Sequence, residues 1–322
     1  MNWQKPNKPP RIKKRGLMVI HCDDGRMTDY TKWLKTIQRS IYKNDQFHAT
    51  NTAVFSPCVN AGYLEEPYNG ISSGYGFKIM TEKEMKYIQD NGGEILSHGK
   101  YHNYFDHTPV TQNASVGDVG IFYNRRFFHF SEGQEVFIEE GENKEYFNVV
   151  KVIKNEPSSD NQIIIDRPLQ NDYTASARLH LSETSLIEMT KGHINLLARF
   201  GIECKNHINP WYRSSDLSDI YLRNNFNSII KTSGGVEDPN SANIYSLLRC
   251  LGVENTSLDY FKTQIDKAYD LDGVAFIQGH GGDSEETLER LESIIDYAYE
   301  KGVRIVSHQE AVNHILSKQS VS

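Results

Sequence analysis

The chain has no apolar stretch near the roughly 20 residues needed to cross a bilayer, and its first residues lack the apolar centre of a secretory leader. Neither a membrane span nor export by that route is expected. Cysteine is scarce: Cys22, Cys58, Cys204 and Cys250 lie far apart with no C-x-x-C pair, which excludes a zinc ribbon and a disulfide framework and leaves expected free thiols. An excess of positive charge is also missing. With a formal charge of -7 the chain lacks the basic face that duplex binding needs, so no nucleic-acid partner is expected. Arg125 and Arg126, set among Tyr123, Phe127 and Phe128, read as an aromatic-rich strand with two outward arginines.

What remains is the composition of a folded enzyme-sized protein. The 322 residues, 38% of them hydrophobic, suit one large domain carrying a smaller guest. Aromatic residues make up 11%, a supply that serves an ordinary core and equally serves stacking on sugar rings. Residues 1–16 carry six basic side chains and three prolines with no acid, and read as a solvated leader, with attachment to a larger assembly as the alternative.

From Leu17 onward short apolar runs alternate with helical periodicities, the pattern of an α/β fold with largely parallel strands. Strands are expected at Leu17–Cys22, Ala53–Phe55, Glu94–Ser97, Ile202–Ile208, near Ser228–Lys231 and Asn243–Ser246, at Val274–Ile277 and at Val303–Val306. Thr81 with Glu84 forms a capping box that opens a helix ending at Asn91-Gly92, and Asp283 with Glu286 is expected to open another that runs to Lys301. Between about Thr111 and Ser182 the helical period disappears. Short strands there, Phe127–Phe130 among them, predict an inserted all-β module at 111–182 within a split domain of 17–110 and 183–322, the usual size of a β/α barrel.

Asp23, Asp24, His98, Asn209 and His280 each follow directly on an expected strand, where barrels of this kind gather their reactive groups. Neighbouring carboxylates repel unless a cation or shared proton relieves them, and paired histidines commonly supply such a cation's other ligands. His98 and His102 are spaced i, i+4, so a helical turn after the strand would put both imidazoles on one face. Singly, Asp-Asp-Gly is an ordinary turn and a histidine pair an ordinary solvated face; their joint occurrence at strand ends points to a metal-dependent hydrolase. Zinc suits this donor set, as do nickel, cobalt and manganese.

Asp-Asp-Gly at 23 to 25, Glu94-Ile-x-x-His-x-x-x-His102, Pro-x-Tyr at 210 to 212, a strand ending in His280, and the run from Glu286 through Lys301-Gly-Val to Val306 resemble, in order and spacing, the polysaccharide deacetylase family, carbohydrate esterase family 4. The resemblance covers about 17–107 and 183–316. It implies a distorted, often seven-stranded β/α barrel that removes N-acetyl or O-acetyl groups from a polysaccharide. It implies Asp24, His98 and His102 as metal ligands, Asp23 as general base and His280 as the acid. Asn209, Trp211 and Tyr212 become the substrate and oxyanion segment, with a backbone N–H near Trp211 or Tyr212 meeting the oxyanion and the two rings serving as sugar platform or as packing. Alternatives are a catalytically silent glycan-binding subunit on the same barrel and a small-molecule amide hydrolase.

The chain departs from the family where Arg-Pro-Pro-Tyr-Gly is usual and Asn209-Pro-Trp-Tyr-Arg213 stands instead; Arg213 or Arg249 is the expected replacement for the missing charge partner of the base. The usual support of the acidic histidine is not evident, and Gly99 follows the first metal histidine. Phe130-x-x-Gly133-x-x-Val136-x-Ile138, Val149–Val152, Ile165-Asp-Arg-Pro-Leu169 and Tyr173 with Ala177 resemble the small β modules of phage tail and other virion proteins, which implies a virion enzyme acting on cell-surface glycan, with tail proteins as partners through 1–16 or 111–182; the alternative is a module that shapes the substrate groove or joins subunits. A virion-associated location follows from that resemblance, with the cytoplasm as the alternative.

Overall fold

The structure, a computed structural model, describes residues 15–44, 54–65, 69–71, 76–102, 105–124, 130–154, 160–281 and 284–320. β1 (Leu17–Cys22) is buried on both faces, as an unbroken apolar run requires when interior packing covers one face and helices the other. α1 (Leu34–Asn44) turns Leu34, Ile37 and Ile41 inward. β2 (Ser56–Val59) follows, then α2 (Glu82–Asp90), opened by the expected Thr81–Glu84 box, and β3 (Leu96–Ser97).

The chain next builds an antiparallel sheet from β4 (His107–Pro109), β5 (Gly120–Asn124), β6 (Glu135–Glu140), β7 (Asn143–Lys154), β8 (Asp160–Ile165) and β9 (Arg178–Leu181), ordered β4-β9-β6-β7-β8-β5. Val136, Ile138, Phe147, Val149, Ile163, Ile165 and Leu179 bury one face of it. The sheet begins at His107, ahead of the boundary expected at residue 111, because β4 pairs with β9 through His107 and His180.

Helical structure returns with α3 (Glu183–Ile187) and α4 (His193–Arg199), joined by one π turn. Then come β10 (Asn206–Ile208), α5 (Asp216–Asn225), β11 (Ser228–Ser233), β12 (Leu247–Arg249), α6 (Leu258–Leu271), β13 (Val274–Gly279), α7 (Glu285–Lys301), β14 (Arg304–Ile305) and α8 (His308–Gln319). The second sheet is wholly parallel, ordered β12-β11-β10-β3-β2-β1-β13, with β14 on the first residues of β1. It curls until its edges meet: Cys250 N–H donates to the Phe276 carbonyl at 2.8 Å, and Gly252 bridges Gln278. Leu17, Val19, Cys58, Leu96, Ile208, Ile230, Leu247, Val274 and Phe276 fill the interior, where Ala311, Val312 and Ile315 of α8 pack against them. The strands' carboxyl ends thus converge on one rim.

Several expected elements shift. β2 is Ser56–Val59, past the expected Ala53–Phe55 of which Ala53 lies outside the described residues; its register with β1 pairs His21 with Ser56 and Cys22 with Pro57, so the proline falls inside the strand. Asn243–Ser246 is a turn, closed by Ser246 N–H to the Asn243 carbonyl and by the Asn243 side chain, and β12 begins only at Leu247. The cap of α7 is Ser284, whose hydroxyl accepts from the Thr287 N–H. Asp283, Arg125, Arg126 and the expected strand at 127–129 lie outside the described residues, as do residues 1–14 of the leader. β4, β9, α5 and α8 lacked a strong enough period to be expected.

Candidate metal centre

The turn after β1 carries both aspartates. Asp23 N–H donates to the Gly279 carbonyl at 2.8 Å, continuing the pairing with β13 and bringing Asp23 beside His280. Asp24 takes φ +74°, a left-handed conformation that aspartate tolerates better than most residues. Gly25 follows at φ +62°, where an added Cβ would lie 2.9 Å from Val59 Cγ1, so the turn can press onto β2 only without a side chain.

β3 delivers His98, but the next residues do not form the expected helical turn. Gly99 at φ +80° sends the chain sharply aside, and a Cβ there would meet Met189 Cε and the Tyr101 carbonyl at 3.0 Å. Asn60, buried at the end of β2, donates to the carbonyls of His98 at 2.6 Å and Gly99 at 3.1 Å and so clamps this loop. His102 N–H donates to the Tyr63 hydroxyl at 3.3 Å. The two imidazoles are therefore neighbours through a clamped loop, with ring centroids 4.9 Å apart.

Asp24, His98 and His102 each turn one ligand atom into a common space, all within 4.8 Å of one another. His102 Nε2 lies 3.3 Å and His98 Nε2 4.0 Å from Asp24 Oδ1. His98 Nδ1 is 2.8 Å from the Ile208 carbonyl, which can only accept, so the proton sits on Nδ1 and Nε2 presents its lone pair. One carboxylate and two imidazoles, one of them fixed in the ligating tautomer, fit a divalent transition metal with room for further ligands. The other carboxylate oxygen of Asp24 is taken by Arg26, through Nη2 at 2.8 Å and Nε at 3.3 Å. Burial would raise the Asp24 carboxyl, but His102, His98 and Arg26 outweigh it and hold it below the usual range.

Asp23 faces Arg249. Nη1 and Nη2 of this arginine donate to Oδ1 and Oδ2 at 2.7 Å each, and both residues are buried. Burial alone would raise the Asp23 carboxyl; the guanidinium reverses this and keeps it ionised far below the ordinary carboxylate range. Of the two expected charge partners, Arg249 therefore fills the role, and Arg213 is exposed. Arg249 is oriented in turn by Tyr212, whose hydroxyl accepts from Nε at 3.0 Å and donates to Gln278 Oε1.

His280 stands 46% exposed across the cavity, Nε2 3.8 Å from Asp23 Oδ2 and Nδ1 3.9 Å from Glu254 Oε2. Its backbone N–H also donates to Glu254. Burial would lower the imidazole, but the Glu254 carboxylate beside it and the charge of Asp23 raise it above the ordinary histidine value. Glu254, in the short turn Val253–Asn255, supplies the support that sequence reading did not find.

The segment after β10 divides its roles differently from expectation. Asn209 is buried and contributes its carbonyl, which accepts the Tyr212 N–H at 3.0 Å; Tyr212 is thus not a free oxyanion donor. The Trp211 ring packs 4.1 Å from that of His102. Asp23, Asp24, Arg26, His98, His102, Trp211, Tyr212, Arg249, Gln278 and His280 line one cavity of about 440 Å³. Arg26, Asn60 and Glu254 were missed: no motif marks them, and each acts through a turn just beyond a strand.

No family model and no curated protein matches the chain. Among solved structures it is similar to BA3943, a CE4 family pseudoenzyme from Bacillus anthracis, at 9% identity over 93% of this chain and 66% of that one, with a TM-score of 0.47. It is also similar to a family 4 carbohydrate esterase from Streptomyces lividans in complex with acetate, at 9% identity over 91% and 93% of the two chains, TM-score 0.45. A polysaccharide deacetylase structure from Mycobacterium smegmatis matches at 8% identity over 98% and 95%, TM-score 0.47. Likeness at this level leaves the reading of the site to its own geometry.

Proposed function

We propose that this protein is a metal-dependent hydrolase that removes acetyl groups from a polysaccharide. The supporting observation is one cavity in which the Asp24–His98–His102 donor set adjoins a carboxylate held ionised by Arg249 and an exposed histidine 3.8 Å beyond it. A divalent cation held by Asp24, His98 and His102 would bring the pKa of water down to about 7 and polarise an acyl carbonyl. Asp23 then receives the proton that the attacking water loses. Arg249 orients its two oxygens, and Tyr212 orients Arg249. His280, kept protonated by Glu254, donates from Nε2 to the leaving nitrogen or oxygen as its bond to the acyl carbon breaks.

Zinc is the first metal to test, with nickel, cobalt and manganese beside it. Acetate release from acetylated chito-oligosaccharides and bacterial wall polymers is the test, with zinc-loaded protein compared with Asp23→Asn. Release that disappears in the variant while metal stays bound supports the reading; equal release from both overturns it. The Arg249–Asp23 pair supports the hydrolase over a catalytically silent glycan binder on the same barrel. Action from a virion rests on the sequence resemblance of residues 111–182, and binding of that stretch to tail proteins would test it.

A further inference from the structure

Among the described residues, Arg26 is the one arginine lining the cavity that does not pair with Asp23. The chain anchors it from both sides: its backbone bridges Ile79, and Met27 N–H donates to the Lys78 carbonyl at 2.9 Å. Its guanidinium lies over the Phe77 ring, 4.3 Å from the centroid, which fixes the plane of the fork. Nε and Nη2 hold Asp24 Oδ2, while Nη1 makes no hydrogen bond among the described residues and the side chain stays 29% exposed.

Charge within the cavity makes this free edge informative. Among the described residues Asp23 is matched by Arg249 and Asp24 by Arg26, so their lining side chains are close to neutral before any ion is bound. A divalent cation drawing on Asp24 would leave the cavity with a surplus of positive charge, even with Glu254 counted behind His280. Arg26 keeps part of its side chain open on the cavity it lines. Its open Nη1–Nη2 edge has the spacing to grip two oxygens of a planar carboxylate.

We propose that Arg26 determines specificity: it binds a carboxylate on the glycan, so that the preferred substrate is an acetylated polymer containing uronic acid or another carboxylated sugar. This rests on the deacetylase reading above. The test uses zinc-loaded full-length protein with two acetylated oligosaccharides of matched length, a neutral chito-oligosaccharide and an oligouronate, and measures both acetate release and calorimetric binding. The wild type should favour the oligouronate, in a salt-sensitive way. Arg26→Gln should shrink the ratio of kcat/KM values roughly 10–100-fold, the worth of a charge-assisted hydrogen bond.

Equal loss on both substrates, with the ratio unchanged, would reduce Arg26 to a positioning residue for Asp24 and overturn the proposal. No acetate from either substrate, together with oligouronate binding that depends on Arg26, would uphold the recognition and refute the hydrolase instead. Arg26→Lys keeps the charge without the fork and covers the case in which Arg26→Gln does not fold: it should retain a smaller, still salt-sensitive preference, and a full preference would count against the bidentate grip.

Discussion

Arg249 and Asp23, 226 residues apart in the chain, meet in a two-pronged buried ion pair with both contacts at 2.7 Å. Removing one partner leaves the other charge buried and uncompensated, which typically costs about 3–5 kcal/mol. Arg249→Met should therefore lower unfolding stability by about that amount, and adding Asp23→Asn should restore part of it. Denaturant titration of the two variants checks this, and a single variant as stable as wild type would contradict the pairing.

The same pair carries a pH signature. Because the folded-state Asp23 carboxyl is depressed, its stabilisation is fully present above the unfolded-state value near 3.9 and is lost as pH falls toward the folded one. Without its arginine the buried Asp23 carboxyl of Arg249→Met rises above the ordinary value, so the stability gap to wild type should be widest above that raised value and narrow as pH falls through it and on toward the wild-type folded-state value.

His98→Ala and His102→Ala should each reduce bound zinc measured by mass spectrometry or chelator competition, with affinity lower by at least the roughly 10–100-fold seen when ligand supports are lost. Asp23→Asn should leave stoichiometry intact. Metal retained at full occupancy in both histidine variants would refute the donor set.

Glu254→Gln bears on proton donation. His280 is raised above its ordinary value by Glu254 and Asp23, so it stays protonated to higher pH, and activity should decline as pH rises through that raised value. With Glu254 neutralised, the alkaline limb of kcat/KM should move to lower pH. A limb that does not move would show that His280 is not the titrating donor.

Gly99→Ala should act without touching a ligand. A methyl group there sits at φ +80° against Met189 and the Tyr101 carbonyl, so the loop must shift. Expected are about 1–3 kcal/mol of lost stability and weaker zinc binding in the same variant.

Local chemistry told much of this in advance. The placement of Asp23, Asp24, His98 and His280 after strands could be read because each strand is an apolar run ending at a polar residue. Interactions set by tertiary closure could not be read that way. Arg249 reaches Asp23 only because the curled sheet brings β12 round to β13 and β1, and nothing near residue 249 announces that. The geometry of His98 and His102 was foreseen for the wrong reason: their spacing matched a helix, while Gly99 and the Asn60 clamp produce the convergence. Pro57 hid the true start of β2, since a proline is rarely tolerated inside a paired strand.

The line along which the parallel sheet closes is stitched by Cys250 to Phe276 and Gly252 to Gln278. Arg249 and Glu254 stand on one side of it, Asp23 and His280 on the other. A transient parting there would separate Asp23 from Arg249 and His280 from Glu254 in one movement, so both pairings depend on barrel closure. Hydrogen exchange at Cys250 N–H thus reports how often that closure, and both pairings with it, opens.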